Sequence, residues 1–158
     1  MNNIFIKTIT FFFIIGLSAC SYKPIFSEQN YGFEIEKIIL NGEKDINRII
    51  NSKLKSIKSD GGKDKERYTL KIQSKKIREI FSKDSKGDPL KFKMVILVEF
   101  ELSKNGNLLL NSKIEKNNVY NNDSDKFELE QTEDIILAKL TGSISDTLIS
   151  SIINLNDN

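Results

Sequence analysis

The chain contains two kinds of hydrophobic pattern after residue 32. In some stretches every second residue is apolar, which is typical of β-strands, and in others the apolar residues recur every third or fourth position, which is typical of amphipathic helices. In chain order the pattern predicts a strand, a helix, three strands joined as hairpins and a second helix. Two such helices bury their apolar stripes by packing against a sheet. We therefore predict an α+β fold in which two helices cover one face of a four-stranded mixed sheet, in the order β-α-β-β-β-α.

The first strand and the first helix are predicted close together in the chain. Apolar residues alternate over residues 33–40 with a change of phase at Lys37, which indicates a β-bulge. A stripe with helical spacing then predicts a helix over about residues 43–58. The glycine-containing turn at residues 59–62 suits the end of that helix.

The next three strands are predicted to form two hairpins. The second strand begins at Tyr68 and can continue to Phe81, and residues 82–89 have the composition of a turn. Asn105-Gly106 is a strong signal for a two-residue hairpin turn, and the fourth strand follows it. One face of the third strand is wholly apolar: Leu90, Phe92, Met94, Ile96, Val98, Phe100 and Leu102. The fourth strand is predicted from Leu108, Leu110 and Ile114 and ends near Val119-Tyr120.

A long helix is predicted over residues 125–155. Acidic residues in its opening turns suit the positive end of the helix dipole. Its predicted buried stripe consists of Ile136 or Leu137, Leu140, Ile144, Leu148, Ile152 and Leu155.

The N-terminal segment has the outline of an export signal. Lys7 precedes an apolar run over residues 9–17, and small residues lead to Cys20. The sequence Leu17-Ser18-Ala19-Cys20 resembles the lipobox, in which the cysteine is acylated and becomes the first residue of the mature chain. The alternative is an unmodified cysteine after a signal or a membrane helix, but the run is shorter than the roughly 20 residues that a spanning helix needs. We predict a signal peptide over residues 1–19, a lipidated tether over residues 20–32 and a single α+β domain over residues 33–158.

The composition gives little support to catalysis. The chain has no histidine and a single cysteine, which excludes a histidine-based triad. Glu99 and Glu101 share a strand face and are interpreted as a solvated pair. Without Lys7 the charges are 23 basic against 22 acidic, so general attraction to nucleic acid is not expected. We predict no enzymatic activity, no cofactor, no metal and no nucleic-acid partner; an envelope enzyme that uses carboxylates is the minor alternative.

A basic segment with apolar residues between the cations lies at the end of the second strand. Its members are Lys75, Lys76, Ile77, Arg78, Ile80, Phe81 and Lys83. Lysines of this kind commonly protect a sheet edge from pairing with another chain. The functional alternative is contact with an amphiphile that has acidic head groups, because cations and apolar side chains lie side by side.

Three stretches of the chain carry a family resemblance: Cys20-Ser21-Tyr22-Lys23-Pro24-Ile25-Phe26, the apolar-then-polar hairpin end Ile80-Phe81-Ser82-Lys83, and Tyr120-Asn121-Asn122 before the last helix. With these stretches, the whole mature chain resembles the LptE family, the lipoprotein subunit of the outer-membrane lipopolysaccharide (LPS) translocon. The order of predicted elements also matches that of the family. Ser21 replaces the usual glycine, and Phe26 replaces the usual tyrosine.

The resemblance implies an outer-membrane lipoprotein on the periplasmic side, held by its N-terminal acyl chains. It would plug an LptD-type β-barrel, support assembly of the barrel and help deliver LPS to the outer leaflet. Family members bind LPS through a hairpin-tip cation, which corresponds to Ser82 or Lys83, with Phe81 beside it. The second cation of the family corresponds to a position near Leu129, where the sequence offers only Lys126, three residues earlier. The competing interpretation is an unrelated outer-membrane lipoprotein that binds a periplasmic protein through its sheet edge.

Overall fold

The computed structural model describes residues 33–56 and 66–156 of the chain. The predicted signal peptide, Cys20, the tether and the turn at residues 59–62 lie outside the described residues. The elements are β1 (Phe33–Gly42), α1 (Lys44–Ser56), β2 (Glu66–Lys83), β3 (Pro89–Lys104), β4 (Asn107–Asn121) and α2 (Lys126–Asn156). This is the predicted order, and the α+β fold class is confirmed.

The four strands form one mixed sheet in the order β1-β2-β3-β4. β1 runs parallel to β2, because α1 lies between them in the chain and returns it to the starting end of the sheet. The other two pairs are antiparallel hairpins. The pairing of β1 shifts register between Ile35 and Lys37, which confirms the bulge expected from the change of hydrophobic phase.

Both helices pack on the same face of the sheet. α1 lies against β1 and β2, α2 lies against β3 and β4, and the two helices contact each other. By length and composition α2 resembles a membrane-spanning helix, but it supplies a large part of the core. Its buried apolar residues are Leu129, Leu137, Leu140, Ile144, Leu148, Ile149 and Ile152.

The predicted apolar face of β3 is confirmed from Phe92 to Leu102, all of which are buried. Two leucines of the predicted strands are nevertheless exposed. Leu90 is 51% exposed because it lies at the end of the β2–β3 hairpin, beyond the compact core. Leu108 is 58% exposed because the register of β4 shifts where it pairs with Leu102 and Ser103, and this shift separates Leu108 from the buried face.

The sheet changes from four strands to three at Ser74. β1 ends at Gly42, which pairs with Ser74, and β2 continues for nine more residues, over which β3 is its only strand neighbour in the described part of the chain. The buried Ser74 Oγ donates a hydrogen bond to Asn47 Oδ1 of α1 at 2.8 Å. We call the part of the sheet before this point the four-stranded half and the part after it (residues 75–83 of β2 with their partners on β3 and β4) the three-stranded half.

Candidate functional site

The turn between β2 and β3 is organised by one aspartate. Asp84 Oδ1 accepts hydrogen bonds from the backbone N–H of Lys86 at 2.9 Å and of Asp88 at 2.8 Å. The backbone N–H of Asp84 donates to the Asp88 carbonyl at 2.8 Å, and Gly87 has a φ of 92°, which favours glycine. The hairpin therefore ends in a hydrogen-bonded turn that holds the adjacent strand ends together.

Apolar side chains are exposed on both strands beside this turn. Ile80, Phe81 and Leu90 are each about half exposed or more, which is unusual for residues of this size. The β2–β3 pairing shifts register between Ile80 and Ser82, so Phe81 is the extra residue of a bulge. Lys83 follows it, exposed, and pairs with Pro89. We call residues 80–90 the hairpin tip; it places Phe81 and Lys83 on one exposed projection.

The start of α2 is fastened to the hairpin tip. The backbone N–H of Asn122 donates to the Leu90 carbonyl at 2.8 Å, and its side-chain Nδ2 donates to the Pro89 carbonyl at 2.8 Å. Lys126, the first residue of α2, follows four residues later and is exposed. The fold thus brings Lys126 to the same end of the molecule as Phe81 and Lys83, although they are far apart in sequence.

Asp125 caps α2. Its Oδ1 accepts a hydrogen bond from the backbone N–H of Phe127 at 2.9 Å and lies 3.4 Å from the backbone nitrogen of Glu128. The Phe127 side chain next to Lys126 is 64% exposed. A second pair of one apolar and one cationic side chain therefore lies at this end of the molecule, and sequence reasoning had not assigned Phe127 to the site.

A polar cluster joins the three-stranded half to α2. Glu133 Oε1 accepts hydrogen bonds from Arg78 Nε at 2.7 Å and from the Tyr120 hydroxyl at 2.6 Å. Arg78 Nε also lies 3.2 Å from the Tyr120 oxygen, and its guanidinium stacks over the Phe92 ring at 3.6 Å. We call Arg78, Phe92, Tyr120 and Glu133 the arginine cluster.

Two members of the arginine cluster, Tyr120 and Arg78, keep fixed charge states near neutral pH. Burial, with the hydrogen bond to Glu133 added to it, raises the pKa of Tyr120 to about 12. Burial alone would lower the pKa of Arg78, but its contacts with Tyr120 and Glu133 outweigh this effect and raise it. Tyr120 therefore stays a neutral donor and Arg78 a cation, so at neutral pH the cluster links β2 and β4 to the third turn of α2.

Sequence reasoning named Arg78 as one of several basic residues but did not assign it to this cluster. The strand pairing places Arg78, Phe92 and Tyr120 on the helix-covered face of the sheet, so a correct strand register would have indicated that these three residues lie close together. The position of Glu133 could not be predicted in this way, because it depends on how α2 lies across the sheet. Among the described residues, no group of three or more His, Cys, Asp or Glu side chains could hold a metal ion.

Comparison with known proteins identifies relatives by fold. No protein-family model and no curated protein sequence matches the chain. Solved structures do match: rare lipoprotein B from Shewanella oneidensis is 17% identical, with 74% of this chain and 93% of that chain covered and a TM-score of 0.58. A minor lipoprotein from Acinetobacter baumannii is 16% identical, with coverage of 79% and 95% and a TM-score of 0.55.

A third structure, lipoprotein B from Nitrosomonas europaea, is 14% identical, with 84% of this chain and 90% of that chain covered and a TM-score of 0.55. In all three pairs the alignment spans nearly the whole of the other chain. This chain therefore has the fold that these bacterial lipoproteins share.

Proposed function

We propose that this protein is an outer-membrane lipoprotein that binds LPS at its hairpin tip and supports an LptD-type β-barrel as a plug. The observation that carries the proposal is the hairpin tip itself, where exposed Ile80, Phe81 and Leu90 lie beside Lys83. LPS offers acyl chains next to phosphates, and an apolar side chain beside a cation complements both. The shared fold with lipoproteins and the lipobox-like Leu17-Ser18-Ala19-Cys20 support the same proposal.

Lys126 and Phe127 extend the proposed LPS site. Asn122 fastens the loop before α2 to the hairpin tip, so these two residues and the tip belong to one end of the molecule. The arginine cluster holds α2 against the β2–β3 hairpin and so fixes the position of Lys126 and Phe127 relative to the hairpin tip. In this proposal Lys126 is the second LPS-binding cation. It lies about one helical turn before Leu129, near which the LptE family has this cation.

The binding test uses the purified mature lipoprotein in detergent and measures LPS binding at low and moderate salt. Phe81→Ser with Lys83→Glu should weaken binding, and the charge-dependent part of wild-type binding should fall as salt is added. The control variant, Ile135→Ser with Lys55→Glu, makes the same chemical changes at exposed positions outside the site. Equal LPS binding by the wild type and the tip variant would remove the hairpin tip from the site.

The anchor is tested through Cys20. Cys20→Ser should leave the protein unprocessed or release it from the membrane, because several acyl chains together hold a protein stably on a bilayer. The measurement is membrane fractionation together with the mass of the N-terminal peptide. A cleaved Cys20→Ser protein that still fractionates with the outer membrane would contradict lipid anchoring through this residue.

A second candidate function rests on the free edge of β2. Within residues 33–56 and 66–156, no strand lies beside this edge beyond Ser74, and the edge offers nine residues of backbone to an extended segment of another protein. In that case the chain would be a periplasmic protein-binding module without a barrel. Affinity purification of the lipidated protein separates the two functions, because a large β-barrel should co-purify under the first and a soluble protein under the second.

A further inference from the structure

Two consecutive leucines are exposed at the end of the molecule opposite the hairpin tip. Leu108 is 58% exposed and Leu109 is 41% exposed, just after the β3–β4 turn at Asn105-Gly106. Ser103 pairs with Leu108 and Leu102 pairs with Leu110, so Leu109 is the extra residue of a bulge. The bulge explains how two neighbouring residues of one strand can both avoid the core.

The surroundings of the two leucines carry no charge in the chain sequence. Residues 105–112 contain only asparagine, glycine, leucine and serine. The nearest cations on either side are engaged, since Lys104 forms an ion pair with Glu66 and Lys113 forms one with Glu99 at 3.6 Å. This segment can enter an apolar medium without the large cost of transferring an unpaired charge.

The size of the patch favours a lipid surface over a protein partner. Two leucine side chains are far from the roughly 800 Å² that each partner buries in a standard protein interface. Two leucines at a hairpin end can nevertheless contribute to membrane contact, because transfer of exposed apolar surface from water to the acyl region of a bilayer is favourable. Such a contribution is useful to a chain that is already held at the membrane by another anchor.

The chain enters the domain at this same end. Phe33 begins β1 and pairs with Glu66, and the Glu66–Lys104 ion pair joins the start of β2 to the β3–β4 turn. Cys20 lies 13 residues before Phe33, a separation that can span at most about 45 Å. An acylated Cys20 and the two leucines can therefore reach one membrane surface together.

We propose that Leu108 and Leu109 insert into the membrane to which the protein is anchored, so that the β3–β4 turn faces the bilayer. This inference rests on the proposed lipid anchor. With β2 extending 18 residues, the hairpin tip then lies about 55 Å along the strand from this contact. The contact orients the domain and leaves the hairpin tip accessible.

The chain contains no tryptophan, so a single introduced tryptophan reports on its own surroundings. The experiment places Leu108→Trp in the full lipidated protein on phosphatidylethanolamine–phosphatidylglycerol vesicles, with and without brominated acyl chains. We expect the emission to shift to shorter wavelength on the vesicles and to lose intensity with the brominated lipid. Because the segment is uncharged, both changes should persist in high salt.

Ile135→Trp is the control, since Ile135 is an exposed apolar residue of α2 that belongs neither to the hairpin tip nor to the β3–β4 turn. It should show neither change, and Leu109→Trp should repeat the result of Leu108→Trp. Quenching of Ile135→Trp to the same extent as Leu108→Trp, or of Ile135→Trp alone, would overturn the proposed contact. Vesicle flotation is measured on the same samples. A Leu108→Trp protein that floats with the vesicles but is not quenched overturns this inference alone. A wild-type protein that does not float overturns the lipid anchor on which the inference rests.

Discussion

The two halves of β2 have the same kind of backbone and strand partner but different surroundings. In the four-stranded half, the residues of β2 that face the helices are all buried: Tyr68, Leu70, Ile72 and Ser74. In the three-stranded half, the residues at the same alternation are exposed: Lys76, Arg78 and Ile80. The change occurs at the pair Gly42–Ser74, where β1 ends and the chain turns into α1. Burial along one strand is therefore decided by which distant elements lie beside it.

The two halves also differ in how they are held to the helices. The four-stranded half uses apolar packing under both α1 and α2, with one buried hydrogen bond between Ser74 and Asn47. The three-stranded half lacks α1 and β1; there α2 is held by apolar packing on Phe92, Met94 and Ile96 of β3 and, in addition, by the arginine cluster. The three-stranded half is covered by fewer elements, and apolar side chains remain exposed at its end, the hairpin tip, where we place the binding site.

The largest expected effect comes from the same substitution made in each half of β2. Ile72→Ala should destabilise the protein by about 2–5 kcal/mol, because Ile72 is only 1% exposed and its loss leaves a cavity. Ile80→Ala, on the same strand and 48% exposed, should change stability by no more than about 0.5 kcal/mol. Urea unfolding of both variants measures the difference, and equal losses would show that the three-stranded half is packed as tightly as the other.

The next effect tests the boundary between the halves. Gly42 has a φ of 94°, and a Cβ added there would lie 2.0 Å from the Ser74 carbonyl oxygen. Gly42→Ala should therefore destabilise the protein by more than about 1 kcal/mol. The matched control is Gly142→Ala in α2, where no atom lies within 4 Å of the new methyl group and a gain of about 0.5–1 kcal/mol is expected. Thermal unfolding should give opposite signs; a neutral Gly42→Ala would contradict a close approach of β1 to β2 at this point.

The smallest effect appears only at high pH and concerns the arginine cluster. The pKa of Tyr120 is raised to about 12 in the folded protein, whereas an unfolded tyrosine titrates near 10. Between these values the folded state retains a proton that the unfolded state loses, so the free energy of unfolding must fall as pH rises from about 10 to 12. Tyr120→Phe should show a shallower fall in urea unfolding over that range. The same slope in both proteins would mean that Tyr120 is not held neutral by burial and Glu133.

Much of the fold could be predicted from the sequence because its pattern is local. The period of the apolar residues distinguished strands from helices, the phase change at Lys37 located a bulge, and Asn105-Gly106 located a hairpin turn that the structure confirms, with φ values of 52° and 83°. The buried stripe of α2 followed from its spacing alone. Each of these properties depends on neighbours within a few positions along the chain.

The candidate site was only partly predictable. The residues alone indicated a basic segment with apolar residues that includes Phe81 and Lys83, and the resemblance to the LptE family singled out these two and Lys126 as the LPS-binding candidates. That these three residues lie at one end of the molecule depends on the hydrogen bonds from Asn122 to Pro89 and Leu90. Phe127 and the arginine cluster were missed because their partners come from segments far apart in the sequence.

The sequence by itself determined the element types, their order and the face of each strand that is apolar. Only the tertiary structure decided where that face is covered, which is why Leu90 and Leu108 are exposed although they belong to apolar alternations. The alternation of apolar and polar residues along a strand indicates which face of the sheet each side chain lies on. Burial on that side requires a second element to lie over it. Here β1 ends opposite Ser74, so β1 and α1 do not accompany the rest of β2, and bulges place Phe81 and Leu109 outside the regular strand alternation.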